Sequence, residues 1–205
     1  MRIITIGREF GSGGRELGKR LADQLGIPCY DKEIIDEVAK MHEIAPEQVE
    51  YIDQIDVRNI YIATIGRTIY EPAYYNHQAF DLLMSQGEAI KKLAASGDCV
   101  IVGRQADVIL KDLKPLNLFV YASRESKLKR CMERASEGET EKYILKKMKK
   151  IDKVRASNRH FLHNSKWGDR NCYDLCINTS DIEIKSVVSA LADYVTKWFE
   201  NNGND

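Results

Sequence analysis

The sequence predicts an α/β fold, a five-stranded parallel sheet with helices on both faces. Three observations predict it. Short apolar runs alternate with amphipathic helical stretches along the whole chain. Two of those runs, Ile3-Ile4-Thr5-Ile6 and Cys99-Val100-Ile101-Val102, stop at a glycine, Gly7 and Gly103. No internal repeat or low-complexity linker breaks the alternation. Such alternation implies parallel pairing, because each helical crossover returns the chain to the same end of the sheet. The 205 residues are enough for one core, so the expectation is a single domain over 1–205.

In chain order, the β-branched run at 3–6 reads as a buried parallel strand. Leu17, Leu21 and Leu25 recur every four residues and give a helix that Gly26 ends. Ile27–Tyr30 is a brief extended segment. Asp31 can cap the next helix, whose apolar face is Ile34, Ile35, Val38 and Met41. Ala45-Pro46-Glu47 starts another helix. The stretch Tyr51–Tyr75 mixes tyrosines with Asp53, Asp56, Arg58 and Arg67 and shows no clear period. Ala79–Ala95 is helical and Gly97 closes it ahead of the strand at 99–103. Leu116–Ala122 is a third strong strand. Ser123 caps a basic helix through Arg134, Ser136–Glu139 is a polar break, and a long charged helix runs from about Thr140 to Asn158. Tyr173–Thr179 is the final strand. Asp181 then caps a helix carrying Ile184, Val187, Val188, Leu191, Val195 and Trp198.

Lys and Arg total 31, as do Asp and Glu, so the net charge is zero. That balance argues against a nucleic-acid polymer as partner. The charge is uneven: residues 124–170 are basic and 31–56 lean acidic. A basic cluster on a neutral protein points to a small anionic ligand. The five cysteines are odd in number and form no CxxC pair, which reads as reduced thiols in a cytosolic protein. No residues show the spacing of a metal site; His160 and His163 lack companions. No run approaches the ~20 apolar residues of a membrane span. The expectation is a soluble, cytoplasmic protein that engages neither membrane nor metal directly.

The chemistry concentrates in Gly7–Arg15, between the first strand and the first helix. Four of these nine residues are glycine, which lets backbone N–H groups turn inward as an anion nest. The helix N-terminus adds positive potential, and Arg15 can fork onto a phosphate. The alternative is a tight turn without a ligand. In parallel sheets ligands bind beyond the carboxyl ends of the strands. Here those ends carry Gly7-Arg8-Glu9, Tyr30-Asp31, Gly103-Arg104, Ala122-Ser123-Arg124 and Asn178-Thr179-Ser180.

The segment Ile4–Ala22 resembles the opening of cytidylate kinase-like proteins and, more distantly, cytidylate kinases and other P-loop nucleoside-monophosphate kinases. The resemblance continues through Tyr30–Ile35, Val100–Asp107 and Tyr173–Thr179, over nearly the whole chain. It implies a P-loop NTPase fold with a helical acceptor-binding insert, at 44–78, and a lid at about 135–160. It also implies ATP, with magnesium carried on the nucleotide, on Gly11, Ser12, Gly13, Gly14, Arg15 and Glu16. Arg8, Asp31, Gly103, Arg104 and Gln105 would surround the acceptor, and Arg15, Arg155 and Arg159 would be the catalytic cations. The chain departs from the usual G-x-x-x-x-G-K-[ST]. Gly14 occupies the lysine position, and Arg15 falls where Ser or Thr would hold magnesium. Arg15 or Arg8 can supply the missing charge; Ser12 and Glu9 lie nearest the missing hydroxyl. Gln105 stands where the resembling kinases place the Asp that reads cytosine, so cytosine preference does not carry over.

Several residues keep two readings. Arg104 holds an acceptor phosphate or makes a surface salt bridge. Arg155 and Arg159, with Arg124, Arg130 and Arg134 upstream, line a lid or a solvated helix face. Asp31 serves the acceptor or only caps a helix. Tyr61, Tyr70, Tyr74 and Tyr75 stack a base, pack, or form a homodimer surface. The expected function is phosphotransfer from a nucleoside triphosphate to a nucleoside monophosphate or other small phosphorylated acceptor. The alternative is a catalytically weak or inactive P-loop sensor of nucleotides, which the missing Lys and Ser/Thr support.

Overall fold

The computed structural model describes residues 1–52, 55–58 and 73–202. β1 (Ile3–Arg8) is the central strand, flanked by β3 (Cys99–Val102) and β4 (Leu116–Tyr121). β2 (Cys29–Tyr30) pairs with β3 at one edge and β5 (Leu175–Asn178) with β4 at the other, all in parallel. The expected five-stranded parallel sheet is therefore present, in the order β2-β3-β1-β4-β5.

Alternation along the strands supplies two cores. Ile4, Ile6, Val100, Val102, Leu118 and Val120 face α1 (Gly14–Leu25) and α8 (Ile184–Asn202), which contribute Leu17, Leu21, Val188, Leu191 and Val195. Ile3, Cys99 and Ile101 face the other way. They pack with α2 (Lys32–His42), α3 (Pro46–Ile52), α4 (Ala73–Ala95) and α5 (Ala106–Ile109). Burying each such aliphatic side chain stabilises the fold by about 1.5–3 kcal/mol, so helices on both faces follow from strands that are apolar on both faces. α6 (Arg124–Met132) and α7 (Glu141–His163) pack on each other, the first capped by Ser123 and the second by Thr140.

Local expectations needed three corrections. Asp181 does not cap α8: it has φ 56° and its carboxylate accepts a hydrogen bond from the Ser126 hydroxyl at 3.0 Å. Asp31 occupies the cap position of α2 but makes no side-chain cap bond. The short α5 helix was not expected; glycine and two further residues with positive φ set it up (below). Tyr61 and Tyr70, and the side chains of Tyr74 and Tyr75, lie outside the described residues, as does much of the 44–78 insert.

All five cysteines are free thiols. Burial, reinforced by Asp31 and Glu33, pushes the Cys29 thiol up to about 12, and burial pushes Cys99 up to about 11. Both stay protonated at neutral pH. Among the described residues no helix is long and apolar enough to cross a membrane.

Candidate functional site

The glycine loop leaves β1 and enters α1 at the centre of the sheet's carboxyl edge. Gly11 and Gly13 have φ of +80° and +82°, a region that L side chains rarely adopt. Gly13 begins α1 with no side-chain cap. The first-turn N–H groups of Gly14, Arg15 and Glu16 therefore have no intrahelical acceptor, the arrangement that receives anions.

Distant elements hold this loop in shape. The Phe10 N–H donates to the Asp152 carboxylate at 2.7 Å, and the Thr179 hydroxyl donates to the Ser12 carbonyl at 2.7 Å. The Lys127 ammonium lies 2.8 Å from the Glu9 carboxylate, which also accepts from the Ala122 N–H at 3.3 Å. Ser12 is buried and its hydroxyl donates to the Glu9 carbonyl at 2.9 Å. Burial raises the Asp152 carboxyl above the usual range, against the lowering effect of Phe10 N–H, Arg155 and Lys127. These tethers preorganise the cradle. Asp152 and Lys127 carried no signal in the sequence, and Thr179 only its place at a strand's carboxyl end, because nothing local marks a partner more than a hundred residues away.

Three arginines converge beside the loop. Arg15 Nε lies 2.6 Å from Asp31 Oδ2, and Arg8 Nη2 lies 3.8 Å from Oδ1. Arg104 Nη1 donates to the Asp31 carbonyl at 2.7 Å and lies 3.5 Å from Oδ1. Arg104 is 6% exposed as a side chain, so the surface salt bridge read as its alternative is excluded. It follows Gly103 (φ +81°), and Arg104 and Gln105 are themselves left-handed, with φ 51° and 57°. Such a turn stores strain and is characteristic of binding sites. Gln105 Oε1 is buried without a hydrogen-bond partner.

Gly103 holds a left-handed φ and leaves the space that the Arg8 guanidinium occupies. A Cβ at position 103 would lie 1.4 Å from Arg8 Nη1, so the guanidinium would have to move. Gly103→Ala is expected to cost about 1–3 kcal/mol, as overpacking and left-handed strain combine. Urea unfolding of the variant measures this. An unchanged midpoint would mean that the Arg8 side chain has another path.

The α7 helix closes the site from above the loop. Arg155 Nη1 donates to the Arg8 carbonyl at 3.0 Å and lies 3.4 Å from Asp152. Asn158 accepts from the Val57 N–H at 2.9 Å and donates to the Ile55 carbonyl at 2.9 Å, which ties part of the insert to α7. Arg159 Nη1 lies 2.5 Å from Asp107 Oδ2, its Nε donates to Ser165 at 3.1 Å, and its guanidinium lies 5.3 Å over the Tyr173 ring. The side chains of Arg155 and Arg159 are 25% and 4% exposed, so the solvated-face reading is wrong for both. Of the upstream arginines, Arg130 and Arg134 line the same cavity as Arg155 and Arg159, and Arg124 does not. Arg124 is exposed, Arg130 holds the Thr179 and Ile182 carbonyls, and Arg134 pairs with Glu16 at 3.0 Å. The loop, the three arginines, Gln105, Arg155 and Arg159 line one cavity of about 1110 Å³.

A glycine cradle at the carboxyl edge of a β2-β3-β1-β4-β5 parallel sheet, ringed by arginines, defines a kinase-like P-loop protein. The chain belongs to the cytidylate kinase-like family, whose family model matches residues 3–181. It is similar to an uncharacterized protein from Eubacterium ventriosum ATCC 27560, with 35% identity over 96% of this chain and 99% of that one, at TM-score 0.68. It also shares its fold with the shikimate kinase of Bacteroides thetaiotaomicron, at 11% identity over 95% and 98% of the two chains and TM-score 0.56. The shikimate kinase of Acinetobacter baumannii, solved in complex with shikimate, has 14% identity over 100% and 95% and TM-score 0.50. No curated protein matches the chain.

Proposed function

We propose that the protein is a phosphotransferase that moves the γ-phosphate of a nucleoside triphosphate to a nucleoside monophosphate or another small phosphorylated acceptor. One observation carries this reading: the uncapped start of α1 opens on the same cavity as Arg8, Arg15, Arg104 and Arg155. Donor phosphates rest on the N–H groups of Gly11–Glu16. The acceptor phosphate lies near Gly103, Arg104 and Gln105. An acceptor phosphate oxygen attacks the γ-phosphorus directly, and the bond to the β-phosphate oxygen breaks. Charge spreads over the transferred oxygens, so fixed guanidinium groups lower the barrier.

The loop fits a triphosphate but offers a metal little. The Ser12 hydroxyl is turned to the Glu9 carbonyl, and the Glu9 carboxylate is held by Lys127. Magnesium would then be held by the nucleotide and water, and it would offset phosphate charge. That same feature favours a second reading, a nucleotide sensor that keeps the cradle without turnover. Coupled assays across triphosphate and monophosphate pairs, run beside calorimetric binding, separate the two. Turnover with at least one pair is expected; binding of a triphosphate with no turnover in any pair would establish the sensor.

A further inference from the structure

The carboxylate of Asp31 sits among guanidinium groups drawn from the ends of β1 and β3 and the start of α1. Arg15 Nε is 2.6 Å from Oδ2, while Arg104 Nη1 and Arg8 Nη2 are 3.5 Å and 3.8 Å from Oδ1. Its side chain is 16% exposed and does not cap α2, although it stands at the cap position. Three planar guanidinium forks around one oxyanion form the arrangement that recognises a phosphoryl group. Asp31 sets one carboxylate against these three guanidinium groups.

The loop's glycine at the lysine position belongs to the same design. A Cβ at position 14 would lie 2.5 Å from Arg8 Cβ, so a side chain there and Arg8 compete for one volume. Gly103 clears the rest of the path for the Arg8 guanidinium. Arg8 thus reaches the gap between the donor loop and the β3 end from the opposite side of the loop.

We infer that Arg8, Arg15 and Arg104 form one phosphoryl subsite, in which Arg8 supplies the cation that position 14 lacks. The Asp31 carboxylate is its internal occupant, and an incoming phosphoryl group displaces it. The inference deepens the proposed function by assigning this subsite. Its test reads binding of inorganic phosphate, not turnover, so the two can fail separately.

Calorimetry with inorganic phosphate compares the wild-type protein, Asp31→Asn and Arg8→Met. Removing the competing carboxylate is expected to tighten phosphate binding about tenfold or more. Removing the Arg8 charge is expected to weaken it by a similar factor, as befits one charge-assisted hydrogen bond. A nucleoside triphosphate or monophosphate is expected to displace the phosphate. Asp31→Asn leaves three guanidinium groups without their carboxylate and will lose stability. Phosphate should therefore raise its melting temperature more than that of the wild type, by taking the vacated place. Equal or weaker phosphate binding by Asp31→Asn overturns the inference, as does a variant that phosphate stabilises no more than the wild type. Unchanged binding in Arg8→Met, or phosphate that neither nucleotide displaces, also overturns it.

Discussion

Arg159→Ala is expected to destabilise the protein by about 3–5 kcal/mol, the largest stability effect of any single change at this site. The reason is the state in which it would leave Asp107. The two side chains are 4% and 8% exposed and 2.5 Å apart, so each charge is kept out of water by the other's presence. Removing the guanidinium leaves a largely buried carboxylate without its cation and also takes the cation from over the Tyr173 ring. The pair joins α7 to α5, next to the strained Gly103–Gln105 turn, so its loss loosens the place assigned to the acceptor. Urea unfolding measures the cost. The double variant Arg159→Met with Asp107→Leu should recover most of it, since apolar groups of similar volume replace buried ion pairs at little loss. A single-variant loss within about 0.5 kcal/mol would show that the pair is solvated. Arg159 entered as a catalytic cation; its commitment to Asp107 makes it, in our proposal, a positioning residue.

Arg155→Ala is expected to lower kcat by about 10²–10³, roughly 3–4 kcal/mol of transition-state stabilisation by analogy with a lost oxyanion donor. Its effect on ground-state nucleotide binding should be far smaller. An interaction made only in the transition state lowers kcat and kcat/KM together. Arg155 differs from Arg159 in being anchored at the loop itself, through the Arg8 carbonyl at 3.0 Å. The lost hydrogen bond should cost only about 1 kcal/mol of stability. Steady-state kinetics on the folded variant decide the matter: an unchanged kcat would leave Arg155 with only the task of shaping the loop. The expectation rests on turnover existing, so it is measured after the pair assays.

Much of the fold was legible in local pattern. The glycine stops after Ile6 and Val102, the four-residue recurrence of Leu17, Leu21 and Leu25, and the cap at Ser123 all act over one or two turns of chain. The boundaries were less so: β2 came out as two residues, and α7 runs on to His163. The Asp31 and Asp181 caps failed for different reasons. Asp31 stands at the cap position, but arginines brought in from other elements take its carboxylate. Asp181 stands three residues before the first residue of α8, Ile184, in a left-handed turn where its carboxylate accepts from the Ser126 hydroxyl.

The sequence by itself determined an α/β chain with a glycine cradle between the first strand and first helix, because periodicity and positive φ are local properties. It also determined that residue 14 carries no lysine. Only the tertiary structure decided how the charges are shared. Phe10 meets Asp152 across 142 residues, and Arg155 meets the Arg8 carbonyl across 147. It is the docking of α7 on the loop that decides whether an arginine faces water, a carboxylate or a phosphate. Arg159 was turned inward to Asp107 and Arg155 toward the loop, although they stand four residues apart on one helix, because each meets a different element of the sheet's carboxyl edge.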